Sequence, residues 1–275
     1  MSEALAADKL SLSFGGLKAV NQFSLSLGAS DLAGLIGPNG AGKTTVFNLL
    51  TGVYQPDAGE VRIAGKRVNG SKPSQIAAAG LARTFQNIRL FGDLTVLDNV
   101  RTAAGLRTRS GLWRSLLRTP LYLAEERAIT NVPLELLDVM GIAHRRDEQA
   151  RSLPYGDQRR LEIARALATE PRVLLLDEPV AGMNSREKVE MRGLIQSLRK
   201  QFGLAILLIE HDMGLVMDIC ERITVLDHGV TIASGAPKAV QNDPAVIEAY
   251  LGSDDDDEPV EDKPADRAAP PQEAS

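Results

Sequence analysis

In the second half of the chain, short unbroken apolar runs alternate with stretches whose apolar positions recur every three or four residues. Val173-Leu174-Leu175-Leu176 and Leu204-Ala205-Ile206-Leu207-Leu208-Ile209 are runs of the first kind, the pattern of strands covered on both faces. Between them Met191, Leu194, Ile195 and Leu198 share one face of a helix expected over about 185–201, opened by a capping box of Asn184 and Glu187. Met213 to Cys220 then reads as a helix and Ile223 to Leu226 as a strand. Strands alternating with helices imply an α/β fold with a mostly parallel sheet, whose ligands collect at the carboxyl ends of the strands.

The first half reads differently. Leu10 to Phe14, Ala19 with Val20, and Phe23 to Leu27 are short strand segments, followed by apolar Leu32, Ala33, Leu35 and Ile36. A glycine-rich loop comes next, then a helix from Lys43 to Leu50 that ends near Gly52. Strand pattern resumes at Val61 to Gly65 among turn signals, and helical text begins around Lys72-Pro73-Ser74. From about 88 to 155 the chain is helix-rich, broken at Gly105, Gly111, Pro120, Pro133 and Gly141, as an inserted subdomain would be. The expected division is therefore 1–87 for the first part of the core, 88–155 for the helical subdomain and 156–252 for the rest of the core.

Composition adds a tail and removes some options. With 275 residues, 44% of them apolar, the chain has ample material for a buried core. No apolar run approaches the roughly 18 residues of a membrane span. Residues 253–275 hold nine acids against Lys263 and Arg267, a net of −7, which leaves residues 1–252 at about +2 of the overall −5. Such a tail buries too little apolar surface to order itself and is expected to be disordered. The N-terminus has neither a basic start nor an apolar signal core, and the lone Cys220 falls on the helical spacing of Met213, Val216 and Met217, pointing to core packing in a reducing setting.

Candidate chemistry sits where strands end. Gly37-Pro38-Asn39-Gly40-Ala41-Gly42-Lys43-Thr44-Thr45 fits G-x-x-x-x-G-K-[ST] in the required order of strand, loop and helix. Its backbone N–H groups and the helix start cradle phosphates, Lys43 reaches the β and γ phosphates, Thr44 offers a hydroxyl to Mg²⁺, and Thr45 caps the phosphates from the first turn. Asp177 and Glu178 leave a buried strand at the same sheet edge, one suited to holding Mg²⁺ and the other to orienting or deprotonating water. His211, after Leu207-Leu208-Ile209-Glu210, is placed to bond the γ-phosphate and couple Glu178 to it. Gln86 in Arg83-Thr84-Phe85-Gln86 offers an amide oxygen to the metal or its water, at the joint between core and helical subdomain. His144 and His228 lack such context and read as surface or turn residues.

These motifs, in this order and with Leu153-Pro154-Tyr155-Gly156-Asp157-Gln158, resemble the ATP-binding-cassette ATPases over about residues 8–252. The resemblance implies a P-loop NTPase fold with a mostly parallel core sheet, an N-terminal antiparallel part and the inserted helical subdomain. It implies ATP and Mg²⁺ as cofactors, with Phe14 stacked on adenine and Val20, Asn39, Gly40, Ala41, Gly42, Lys43, Thr44, Thr45, Gln86, Tyr155, Gly156 and Asp157 as nucleotide contacts. Glu178, His211 and Lys43 are then catalytic, and Thr44, Gln86 and Asp177 hold the metal. The Leu153–Gln158 signature would close over the ATP of a second subunit, offering N–H groups of Gly156 and of a helix expected over Asp157–Leu167. The family's usual Ser-Gly pair is Pro154-Tyr155 here, and Ala181-Gly182-Met183-Asn184 stands where many relatives have Ser-Ala-Leu-Asp.

Within the family the chain is most similar to ATPase subunits of branched-chain amino-acid importers, on Phe14-Gly15-Gly16-Leu17-Lys18-Ala19-Val20, Arg89-Leu90-Phe91, Tyr155 to Arg165, Ile209-Glu210-His211-Asp212-Met213 and Ala249-Tyr250-Leu251-Gly252. That implies a peripheral subunit on the cytoplasmic side of the plasma or inner membrane, working in a homo- or heterodimer of such ATPases. Its partners would be two transmembrane permease subunits, docked around Asn87 to Asp93, and indirectly a solute-binding protein, with no nucleic acid. Rival readings are the ATPase of a urea or amide importer or of a lipid exporter, a soluble non-transport cassette protein, and a nonhydrolysing regulatory subunit, which the intact Lys43, Asp177, Glu178 and His211 argue against. The insert Gly105 to Asn131, with Arg107, Arg109, Trp113, Arg114 and Arg118, suits either lipid headgroups and membrane protein or a solvated helix packed by Leu112, Leu116 and Leu117. Cargo identity lies outside this chain.

Overall fold

The computed structural model describes residues 3–105 and 131–251. The acidic tail and most of the basic insert, residues 106–130, lie outside the described residues. β1 (Glu3–Phe14) and β2 (Leu17–Gly28) are two long antiparallel strands where the sequence suggested shorter pieces. The cause is a series of register shifts between them, with Lys9 and Gln22 at left-handed φ of 48° and 52°, which break the period-two alternation. β4 (Ala58–Ile63) pairs with the other edge of β1 and β5 (Lys66–Arg67) with β4, so this sheet runs β2-β1-β4-β5.

The second sheet is built from β3 (Leu32–Ile36), β6 (Leu81–Arg83), β7 (Val173–Asp177), β8 (Ala205–Ile209), β9 (Arg222–Asp227) and β10 (Val230–Gly235), in the order β10-β9-β3-β8-β7-β6. From β9 to β6 every pairing is parallel, and β10 returns antiparallel at the edge. Side chains alternate between two apolar layers. Ala33, Leu35, Val173, Leu175, Ala205, Leu207 and Ile209 face α1 (Lys43–Leu50) and the four-stranded sheet. Leu32, Ile36, Leu174, Leu176, Ile206 and Leu208 face the opposite layer. Each buried Leu or Ile contributes about 2 kcal/mol relative to exposure, and β3, β7 and β8 carry no polar residue before their carboxyl ends.

Beyond α2 (Pro73–Ala78), which buries Ile76, the second layer is helical: α3 (Val96–Gly105), residues 131–139, α4 (Tyr155–Leu167), α5 (Ser185–Phe202) and α6 (Met213–Ile219). α7 (Pro237–Gln241) and α8 (Pro244–Leu251) add Val240 and Val246 to it. Met191, Ile195 and Leu198 of α5 are buried, and Asn184 caps it through Arg186 N and Glu187 N while Glu187 bonds back to Asn184 N. Among the described residues of 88–155, strand pairing is limited to an isolated bridge between Thr95 and Gln149. The boundary expected at 155/156 falls within the first turn of α4.

Candidate active site

Parallel register sets the site. Leu35 and Asp177 both pair with Ile209, so β3, β7 and β8 end together, with Arg83 of β6 beside them. Gly37 follows β3 at φ 149°, where a Cβ would lie 2.0 Å from the Leu226 carbonyl oxygen. Gly42 precedes α1 at φ 102°, where a Cβ would approach the Ala19 oxygen to 2.6 Å, and it brings no side-chain cap to the helix. Two close backbone approaches therefore require glycine, and the first N–H groups of α1 are left for an anion. Asn39, Gly40 and Thr44 are exposed, Thr45 is half-buried and Ala41 is buried. Lys43 is buried and folds back, its Nζ donating to the carbonyls of Gly37 at 2.7 Å and Pro38 at 2.8 Å. Burial lowers the Lys43 pKa, against the opposing pull of Glu178 and Asp177.

Asp177 ends β7 with 4% of its surface exposed and forms an ion pair with Arg83 Nη2 at 2.7 Å. Arg83 Nη1 donates to Asn48 Oδ1 of α1 at 2.7 Å, so one guanidinium joins strand, acid and phosphate-loop helix. Glu178 adopts a left-handed φ of 47°, and its N–H donates to the Ile209 carbonyl at 2.9 Å. That conformation costs a non-glycine residue on the order of 1–3 kcal/mol. It aims the side chain between two partners: Gln86 Nε2 donates to Glu178 Oε2 at 2.9 Å, and His211 Nε2 lies 3.1 Å from Oε1. Gln86, Glu178 and His211, far apart in sequence, thus meet on one carboxylate.

Below them is an acid that sequence reading did not single out. Glu210 is buried and accepts from the N–H groups of Val180 at 2.9 Å, His211 at 3.1 Å and Asp212 at 3.3 Å, tying together the turns after β7 and β8. Burial raises its pKa against those three donors, with Glu178 raising it further. Its only signal was a charge closing an apolar run; Arg83 gave the same signal.

The second half of the expected site lies on α4. This helix begins at Tyr155 rather than Asp157, because Pro154 takes the N-cap position at φ −54°, ψ 151° and Gln158 N already bonds to Pro154 O at 2.9 Å. The N–H groups of Tyr155, Gly156 and Asp157 therefore head the helix. Tyr155 is 43% exposed and its ring flanks Gly182, whose φ is 73°. Gly156 faces Glu187 and Asp157 pairs with Arg145 at 3.1 Å. Phe14, 46% exposed, meets Tyr54 edge-on at 5.3 Å and retains an open face. Val20 points inward from β2 into the apolar core and is wholly buried. His144 and His228 are exposed, as expected. Among the described residues, no cluster of three or more His, Cys, Asp or Glu is arranged to hold a metal by itself.

Comparison with known proteins gives consistent matches. Residues 20–181 match the family model for ABC transporters, and residues 230–256 match that of the branched-chain amino acid ATP-binding cassette transporters. The chain is 46% identical over 248 residues to the high-affinity branched-chain amino acid transport ATP-binding protein LivG of Salmonella typhimurium, covering 90% of this chain and 97% of that one. It is 42% identical, with the same coverage, to the corresponding BraF protein of Pseudomonas aeruginosa. The ADP conformation of an ATP-binding cassette of an ABC transporter superposes with a TM-score of 0.79 at 30% identity, covering 92% of this chain and 100% of that chain.

Proposed function

The chain belongs to the ATP-binding-cassette transporter family, and on that premise we propose that it is the ATPase subunit of an importer of branched-chain amino acids. It binds nucleotide and hydrolyses ATP in the service of transport. The observation that carries the hydrolytic reading is Glu178, held between Gln86 and His211 beside the phosphate loop. In this reading the loop N–H groups from Asn39 to Thr45 take the phosphates, and Lys43 Nζ exchanges the Gly37 and Pro38 carbonyls for phosphate oxygens. Phe14 stacks on the adenine. Glu178 takes a proton from water as its oxygen attacks the γ-phosphorus, and the bond to the β–γ bridging oxygen breaks to release ADP. His211 orients Glu178 and bonds the γ-phosphate.

The donors Thr44, Gln86 and Asp177 are few, hard oxygen groups, which suits Mg²⁺ because that ion takes its other ligands from phosphates and water. When bound, it would neutralise charge on the β and γ phosphates. Arg83 holds the Asp177 carboxylate at the strand end meanwhile.

The N–H groups of Tyr155, Gly156 and Asp157 head a helix end suited to the γ-phosphate of ATP on a second cassette subunit, so the dimer is the working unit. The region around Asn87 to Asp93 meets two permease subunits on the cytoplasmic face of the membrane; a solute-binding protein delivers the amino acid. No helix of the described residues is long and apolar enough to cross a membrane, which suits a peripheral subunit. The test is Glu178→Gln, expected to keep ATP binding and trap a dimer. Full turnover in that variant would remove Glu178 as the base, and failure to co-purify with permeases from membranes would remove the transport assignment.

A further inference from the structure

One buried ion pair joins the signature helix to the segment after β6. Arg159 has no exposed surface, Glu162 is 2% exposed, and their side chains meet at 2.8 Å. Arg159 Nη1 also donates to the Phe85 carbonyl at 2.5 Å, while Nη2 donates to the Gln86 carbonyl at 2.8 Å and to the Tyr155 hydroxyl at 3.0 Å. Glu162 completes the clasp, accepting from the N–H of Phe85 at 3.2 Å and from that of Arg89. A buried pair is weak support for stability, since apolar residues of similar volume often do as well. Its distinctive product is a fixed position for the Phe85–Gln86 backbone. Gln86 in turn touches Glu178 at 2.9 Å, and Tyr155 stands exposed at the head of α4 against Gly182.

We propose that Arg159 is a positioning residue that couples the two nucleotide sites of the dimer. Its guanidinium spans from Tyr155, which meets the nucleotide held by the other subunit, to Gln86, which contacts the base of its own site. Closure on one ATP moves Tyr155; the rigid fork carries that shift to the Gln86 backbone and so to Glu178. A lysine ammonium lacks the planar fork needed to serve the Phe85 and Gln86 carbonyls, Glu162 and Tyr155 together. The proposal rests on the ATPase reading above.

The test measures ATP turnover against ATP concentration, with melting temperature, for the full-length chain and three variants. Arg159→Lys keeps the charge opposite Glu162. The double variant Arg159→Met with Glu162→Met removes both buried charges. Tyr155→Phe deletes one hydroxyl and leaves the pair intact. The expected result for the two Arg159 variants is a kcat about tenfold lower, half-saturating ATP within about twofold, and a Hill coefficient falling to about 1. Tyr155→Phe should lower the Hill coefficient in the same direction; a merely structural role would lower the melting temperature without that split. Wild-type cooperativity in Tyr155→Phe, or wild-type kcat and cooperativity in either folded Arg159 variant, would overturn the coupling alone, as would a non-cooperative wild type. Absence of Lys43-dependent turnover in the wild type would instead overturn the ATPase reading, and the coupling with it.

Discussion

Arg83 and Asp177, at the ends of adjacent parallel strands, form an ion pair of 2.7 Å whose side chains are only 7% and 5% exposed. Removing one member leaves the other buried and unpaired. Arg83→Met should therefore cost about 3–5 kcal/mol in denaturant unfolding, and the double replacement Arg83→Met with Asp177→Leu should cost less than the single one. Equal costs would show that the pair is not the source of the loss.

His211 and Gln86 grip opposite oxygens of Glu178, so their loss should be felt in turnover more than in binding. His211→Ala is expected to lower kcat about a hundredfold while ATP affinity changes less than about threefold. Equilibrium binding alongside steady-state turnover separates the two quantities.

Burial pushes the Cys220 thiol up to about 12, with Glu221 adding to the effect. At pH 8 almost no thiolate exists, and the native protein should resist thiol reagents that label the denatured chain fully. Labelling of native protein within minutes would contradict the core position of this residue.

Asn184 is the side chain at the N-cap of α5, accepting from Arg186 N and Glu187 N at 3.0 Å. Asn184→Ala should lower stability by about 1 kcal/mol in thermal or denaturant unfolding. Asn184→Asp should preserve the cap.

The hydrogen bond from Lys188 at 2.8 Å, with a further one from the Leu215 N–H, lowers the Asp212 pKa below its ordinary 3.8. A depressed carboxylate stabilises the fold at pH above its unfolded value, and that contribution disappears as acid takes the pH down through the folded value. Lys188→Met should therefore flatten the stability curve below about pH 4, as read from melting temperature against pH.

Much of this architecture is written locally. β7 and β8 are legible to within a residue because strands covered on both faces leave unbroken apolar text, whereas β10 has mostly half-exposed residues and leaves none. The phosphate loop, Glu178 and His211 are visible because each follows an apolar strand run, whereas Gln86 stands out only through the short Arg83–Gln86 pattern, since the three-residue β6 before it leaves no strand text of its own. Arg83 and Glu210 are less visible, because Asp177 lies 94 residues from Arg83 and the Val180 N–H lies 30 from Glu210; Arg159 has Tyr155 and Glu162 one helical turn away, but its hold on the Phe85 carbonyl, 74 residues off, leaves no local pattern.

The place of β3 between β8 and β9 has a consequence for biosynthesis. The strand that carries the phosphate loop is made early, yet both its neighbours lie beyond residue 204, and the Leu226 carbonyl against Gly37 comes later still. A ribosome that has released the first 200 residues has thus displayed Lys43 to the cytosol without the walls that shape its loop. Nucleotide binding should appear abruptly as the last part of the sheet emerges, and a chain stopped short of β9 should be a client of chaperones rather than a weak ATPase.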